Sequence, residues 1–275
     1  ILTGVCLIVF IITGLIPSSL FSRIPVATAF RRYSKSKRHW KRALLLVQFT
    51  ACTLLTILLI IIARQYHMLV NDNPGYSFDR LLYCQTEGVA PAARAKAIEE
   101  LRRLPCVERV SSADALPVFG SGGNNAFYDD KKAFNFSDLS EVDTAYFATM
   151  NIPIIDGRNF TDVDARKQDA ATLICNQKMV LGNPQLIPGK RLADGFVADI
   201  VGTSADMHFT SLRKPVDPFA LMLVSTKSSQ VLNFCYVKIK AGTDLKAAVG
   251  HINQSIHAID PAYPVNVEFF DNVLN

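Results

Sequence analysis

The sequence predicts a membrane protein carrying an α+β extracytoplasmic domain, and three observations predict it. One uncharged apolar run, residues 43–63, is long enough to cross a bilayer. Charge changes sign across that run, from strongly basic before it to mildly acidic after it. Two strand–helix–strand patterns of similar length open and close the remaining 200 or so residues, an ample length for a buried core.

In chain order, residues 1–16, ILTGVCLIVFIITGLI, are uncharged but about one turn short of a full span. They are expected to be the end of a transmembrane helix. A cleaved signal peptide would need a basic start and a small-residue cleavage site, and neither is present. Residues 17–42 form a basic loop with eight Lys and Arg: Arg23, Arg31, Arg32, Lys35, Lys37, Arg38, Lys41 and Arg42. No Asp or Glu precedes Asp72. Basic residues of short loops collect on the cytoplasmic side, so the chain is expected to run outward through residues 43–63 and to lie outside from about residue 66. Setting aside these eight and Arg64, the chain keeps 20 Lys and Arg against 24 Asp and Glu, so the overall +5 belongs to the membrane-proximal segment. Basic charge between two apolar spans points to anionic lipid or a cytoplasmic protein rather than to nucleic acid. Within the loop, Ile24, Val26, Ala27, Phe30 and Tyr33 alternate with Arg, a pattern shared by a helix lying on the membrane surface and by a plain solvated loop.

The span itself, ALLLVQFTACTLLTILLIIIA, holds 13 Leu, Ile, Val or Phe among its 21 residues. As a helix it covers roughly 30 Å, the thickness of the hydrocarbon layer. Its apolar residues sum to roughly −4 to −8 kcal/mol on insertion scales, more than Gln48 and the Thr residues subtract. A buried helix of a soluble protein is the rival; the uncharged length and the flanking Trp40, Lys41, Arg42 and Arg64 argue against it. The expected helix covers residues 43–65, and Gln48, polar within it, is expected to face another helix rather than lipid.

After the turn-forming NDNPGYS of residues 71–77, residues 81–87 read as a strand, 91–104 as a helix with Pro at its first turn, and 107–112 as a strand. Residues 234–240, FCYVKIK, read as a strand. Leu245, Ala248, Val249, Ile252, Ile256 and Ile259 recur at helical spacing, and 264–270, PVNVEFF, is again a strand. Two βαβ units in one sheet make a split βαβ, ferredoxin-like layer. Residues 66–114 would supply the first unit and 233–275 the second, with 115–232 an inserted mixed α/β lobe. That lobe is expected to contain a short helix at 144–150, strands at 172–175, 196–202 and 220–224, and a loop at the SGGNN of 121–125.

Motifs for chemistry are few. No P-loop or G-x-G-x-x-G fingerprint occurs, so this chain is not expected to hydrolyse ATP itself. His39, His67, His208, His251 and His257 show no metal-ligand spacing, and no metal is expected. Asp206 and His208 lack any nucleophile context and read as surface turn residues. Cys6 and Cys52 lie in apolar runs. Cys84, Cys106, Cys175 and Cys235 lie outside, where disulfides form; Cys84 and Cys235 occupy corresponding first strands of the two βαβ units and would be neighbours if those strands are central, which leaves their pairing to geometry.

The order of an apolar span, IPVATAFRR, WKRALLLVQFTACTLLTILLIIIARQY, NPGY, LRRLPCVERVSSADALP, YFATMNIPIIDGRNF and PGKRLADGFVADIVGTSADMHF resembles the second half of a MacB-like or FtsX-like ABC-transporter permease of the two-repeat type common in Bacteroidetes. The resemblance covers nearly the whole chain, and its most specific pieces are QF in the span, LP-x-V at the helix ending, M-x-IP-x-x-x-GR-x-F and the IVG strand. It implies that the βαβ pair is a porter lobe and the insertion a sabre lobe, and that the subunit is not an enzyme and binds no cofactor. ATP would be bound by a separate cytoplasmic ABC ATPase, to which a permease dimer in the bacterial inner membrane couples its periplasmic movement, with a periplasmic adaptor as a further partner. It also implies spans and a first permease repeat beyond the residues of this chain.

Carried over residue by residue, Gln48 and Phe49 match the family's QF within the span. Ile24, Phe30, Arg31 and Arg32 belong to the surface helix that contacts membrane or ATPase, and Arg64, Gln65 and Tyr66 form the stalk exit. Efflux or extraction of a substrate is the implied function. A ligand-sensing domain of a membrane receptor and a membrane-anchored hydrolase are the other classes; the first needs a cytoplasmic signalling module, the second a nucleophile or metal constellation.

Overall fold

Thirty-four residues, Arg38–Asn71, form one helix, α1, in the computed structural model. The structure describes residues 38–71, 74–117, 119, 125–129, 132–194, 197–209, 214–225, 232–259 and 267–271. The expected span at 1–16 and the expected surface helix with Ile24, Phe30, Arg31 and Arg32 lie outside the described residues, as does most of SGGNN. The chain divides into a unit ending at Val70 and a unit beginning at Asn71.

In the first unit, the apolar part of α1 runs from Arg42 to Tyr66, 25 residues, and its side chains are exposed among the described residues. Leu46 and Phe49 are each 68% exposed. A surface of this composition suits hydrocarbon or other helices, not water. Its polar side chains are quieted locally: the hydroxyls of Thr50, Thr53 and Thr56 donate to the carbonyls of Leu46, Phe49 and Cys52, each at 2.8 Å. Such back-bonding leaves no hydroxyl unpaired in a medium without water.

The second unit opens with β1 (Leu81–Gln85), α2 (Pro91–Arg103) and β2 (Val107–Ala113). Then come β3 (Asn125–Asp129), β4 (Lys132–Phe136), β5 (Asp138–Val142), α3 (Tyr146–Met150), β6 (Ile154–Gly157) and α4 (Asp162–Arg166). Next are β7 (Ala171–Asn176), α5 (Gln177–Gly182), β8 (Arg191–Leu192), β9 (Ala198–Ser204) and β10 (Phe219–Leu223). It closes with β11 (Phe234–Ile239), α6 (Leu245–Ile259) and β12 (Glu268–Phe269). The short helix at Tyr146 and the strands at Ala171, Ala198 and Phe219 stand where the sequence expects them. The expected last strand, 264–270, is described only over its end.

Strands β12, β1, β11 and β2 lie side by side in that order, each antiparallel to its neighbour. That is the order in which two βαβ units interleave. The crossover helices α2 and α6 share one core with this layer: Leu101, Ala248, Ile252 and Ile256 pack with Leu82, Cys84, Cys235 and Val237. The alternate strand residues, Leu81 and Tyr236, enter a second core on the opposite face with Tyr146, Phe147 and Phe270. Burial on both faces is why LLYC and FCYV read as continuous apolar runs rather than as alternating ones.

The insertion builds one small separate sheet, the β3–β4 hairpin. Its other strands continue the first sheet, in the order β5-β10-β7-β9-β6 with β8 on β9, and β2 joins β5 through the single antiparallel pair Ala113 and Val142. The β3–β4 hairpin lays Phe127, Phe134 and Phe136 over Leu173, Cys175, Ile200 and Ala220 to form a third core. The sequence reading missed this hairpin together with β5, β6 and β8: β6 and β8 have only four and two residues, too few to register a period, and β3, β4 and β5 carry Asn, Asp, Lys, Ser or Glu among few apolar residues.

Candidate functional site

Gln48 and Phe49 lie on the exposed surface of α1, and Gln48, Cys52 and Thr56 follow at four-residue spacing along one face. The helix continues through Arg64, Gln65 and Tyr66 without interruption and ends at Asn71. These positions form no pocket with one another; they are a rod.

In the second unit, three of the quoted motifs meet although about 70 residues separate the first from the second and about 50 the second from the third. Ser77 N–H donates to the carbonyl of Met150 at 2.8 Å, and His208 N–H donates to that of Pro74 at 2.8 Å. Ala205 N–H donates to the carbonyl of Pro153 at 2.9 Å. The NPGY, MNIP and SADMHF segments are thus stitched by backbone hydrogen bonds into one seam, and Met207, Phe209, Tyr76 and Met150 bury their side chains in the same core. Gly75 makes the approach possible: it has φ +88°, and a Cβ there would lie 2.4 Å from the carbonyl oxygen of Asp206. Tyr76 packs edge-on against Phe270, with ring centroids 6.0 Å apart, so the last strand is tied to the same seam.

The M-x-IP-x-x-x-GR-x-F segment is a structural clamp. Asn151 ends α3 in the left-handed conformation, φ 54°. Gly157, φ +72°, brings β6 against Val201 and Pro188, where a Cβ would meet the Val201 oxygen at 2.4 Å. Arg158 then reaches Asp164 with two bonds, 2.5 and 2.9 Å. Asp164, almost wholly buried, also closes the capping box of α4 with Thr161. The Arg158 guanidinium, with the Thr161 bonds and Lys167, holds the Asp164 carboxyl far below the usual carboxylate range.

Two further carboxylates guard the junction of β2 and β5. Asp143 accepts from Ser111 Oγ at 2.6 Å and from the N–H groups of Ser112 and Ala145 at 3.0 Å. Asp114 accepts from Ser140 Oγ and, at 3.0 Å, from Glu141 N–H. Burial pushes both carboxyls above their ordinary values against these bonds, which pull the other way. Sequence reasoning missed them: Asp114 stands in the SSADALP stretch and Asp143 in no motif, neither was singled out, and only the meeting of β2 with β5 brings them together.

Asp206 and His208 are half-buried rather than surface turn residues. Asp206 Oδ1 accepts from Asn176 Nδ2 at 2.9 Å and from Lys178 N–H at 2.8 Å, at the start of α5. Among the described residues the Nδ1 of His208 has no hydrogen-bond partner, and Asp206 Oδ1 is engaged by Asn176 and Lys178 instead. A shallow depression of about 280 Å3 beside Phe147, Ile152, Pro153 and Asn159 has no titratable side chain in its lining. Among the described residues no three His, Cys, Asp or Glu gather as metal ligands.

No protein-family model matches the chain, and no curated protein matches it. Among solved structures, the periplasmic region of MacB from Actinobacillus actinomycetemcomitans matches with a TM-score of 0.52 at 12% identity, over 74% of this chain and 95% of that one. The extracellular domain of the noncanonic ABC-type transporter YknZ from Gram-positive bacteria matches with a TM-score of 0.46 at 15% identity, over 68% of this chain and 98% of that one. The domain that follows α1 in this chain therefore has a MacB-like periplasmic-domain fold.

Proposed function

We propose that this chain is a permease subunit of a MacB/FtsX-type ABC transporter. It couples ATP hydrolysis by a separate cytoplasmic ATPase to a conformational change in the periplasm, for efflux or extraction of a substrate. The observation that carries the reading is a MacB-like fold following, in sequence, directly on an apolar helix of bilayer length whose side chains are exposed among the described residues. In this reading α1 crosses the bacterial inner membrane with the basic loop inside, and the domain from about residue 66 lies in the periplasm.

The four-stranded βαβ layer is the porter lobe and the continuation of its sheet the sabre-like lobe. Gln48 and Phe49 pack against neighbouring helices, Ile24, Phe30, Arg31 and Arg32 contact the membrane surface or the ATPase, and Arg64, Gln65 and Tyr66 carry motion out of the membrane. The chain itself binds no cofactor and catalyses no reaction; ATP belongs to the partner. A second permease protomer completes the dimer, lipid surrounds the spans, and a periplasmic adaptor is a further partner.

Mechanical coupling needs a stiff connection, and two features supply one within their own units. The helix is unbroken through Tyr66. The residues that follow it, Pro74 to Ser77, are held by backbone hydrogen bonds to both the MNIP and the SADMHF segments. The test is purification of the full-length protein from detergent-solubilised membranes with mass spectrometry of its companions. A P-loop ATPase in stoichiometric amount is the expected result. Recovery of a signalling protein and no ATPase would replace the permease with a ligand-sensing receptor.

A further inference from the structure

Cys84 and Cys235 are direct cross-strand partners in the register of β1 and β11. Both are buried thiols, each 2% exposed, on the face covered by α2 and α6. The backbone bonds flanking them define their pairing type. Thr86 N–H donates to Asn233, and Ile239 N–H donates to Arg80; each of these contacts lies an even number of residues from the cysteine pair. Cys84 and Cys235 therefore occupy a hydrogen-bonded pair position, where opposed Cα atoms stand about 5.5 Å apart. That lies inside the range a disulfide spans, roughly 4.4–6.8 Å. Opposed Cβ atoms in a sheet are about 4.5–5.5 Å apart, whereas a disulfide draws them to about 3.8 Å. Closure therefore pulls the strands together by about 1 Å and leaves a strained bond, of the kind that is readily reduced.

The surroundings single out this pair. Arg94 is buried beside it: its guanidinium donates to the carbonyls of Leu232, Thr86 and Val89 and interacts electrostatically with both thiols. The Cys84 hydrogen bond and burial push the Cys235 thiol well above its ordinary value, so exchange proceeds when the layer opens and water reaches the pair. The thiol of Cys175 sits in a different core, pushed up to about 12 by burial, and Cys106 is part-exposed.

We propose that Cys84 and Cys235 form a redox-sensitive cross-strand disulfide between β1 and β11. This rests on the periplasmic placement above for its oxidising surroundings, but its geometry does not. One cysteine, as thiolate, attacks a small disulfide oxidant and releases one thiol. The second cysteine, as thiolate, then attacks the mixed disulfide, forming the Cys84–Cys235 bond and releasing the second thiol. The protein loses two electrons and two protons, and the oxidant is reduced to two thiols.

The test starts with the full-length chain in detergent, its domain after α1 opened in urea and refolded by dilution into glutathione disulfide with reduced glutathione. Remaining thiols are alkylated and the protein is cut with trypsin. Tryptic peptides 81–94 and 228–238 should appear joined, two hydrogens lighter than the sum of the separate peptides, and should separate when reduced glutathione is raised. The same chain held in urea should give the joined pair at least tenfold less often. Full alkylation of both cysteines after refolding would overturn the proposal, and a link that resists glutathione would overturn its redox sensitivity. In intact cells, an impermeant maleimide on Cys106 reads the location separately. Labelled Cys106 with joined peptides supports the proposal, and labelled Cys106 with both thiols recovered counts against it. Protected Cys106 refutes the periplasmic placement and with it the disulfide's formation in the cell, while the refolding result still decides the geometry.

Discussion

Gly75 shows how much one missing side chain decides. Its backbone is left-handed and its Cα faces the Asp206 carbonyl, so Gly75→Ala meets both strain and a 2.4 Å contact with main chain. The variant should lose about 2 kcal/mol or more of stability in urea unfolding, whereas Gly182→Ala, with nothing within 4 Å of the new methyl, should stay within about 0.5 kcal/mol. Asp143 decides something else, the response to pH. Its folded-state carboxyl titrates above the ordinary 3.8, so the native state holds its proton to higher pH than the unfolded chain does. Its contribution is therefore fully present below 3.8 and declines as pH rises through the raised value. Relative to wild type, Asp143→Asn should gain stability as pH rises from about 4 to about 6, read from denaturant midpoints at each pH. A flat difference would mean that Ser111 and the two N–H groups already hold the carboxylate ionised at pH 4.

At the scale of elements, the five-residue α4 depends on its N-terminus, since it is too short to be stable by itself. Thr161 caps it, and Asp164 both completes the capping box and binds Arg158. Asp164→Ala removes all of this and should cost about 2 kcal/mol, seen as a lower Tm, while Val163→Ala, on the exposed side of the same helix, should change little. Asp164 has the opposite pH sign from Asp143. Its pKa is depressed, so its stabilisation is present above 3.8 and is lost as pH falls below that value. Long amphipathic elements such as α2 and α6 were legible in the sequence because their apolar residues repeat over several turns. The β3–β4 hairpin was not, because its Phe residues gain their meaning from a sheet face assembled by β7, β9 and β10.

For the whole molecule, the permease reading makes α1 a lever, and its stiffness becomes testable. Gln65→Pro removes a helix hydrogen bond and introduces a clash, at a cost of about 3 kcal/mol to local helix continuity. ATPase binding should survive in the variant, while transport falls at least tenfold and ATP hydrolysis no longer responds to substrate, as measured in reconstituted vesicles. Unchanged transport would count against the lever. The seam of NPGY, MNIP and SADMHF belongs to this scale as well: each motif stood out in the sequence separately, but their junction is a product of folding.

What the sequence by itself determined is whatever is encoded locally: an uncharged run of bilayer length, its basic flank, two βαβ periods and the turn at NPGY. These follow from hydropathy and spacing within a few tens of residues, and need no partner to be read. The tertiary structure alone decided that the inserted strands extend the first sheet through Ala113 and Val142, that Asp114 and Asp143 guard that junction, and that Cys84 faces Cys235 in a hydrogen-bonded register. Register and strand order arise from pairing between segments far apart in the chain, and a strand's own residues do not say which edge it will meet.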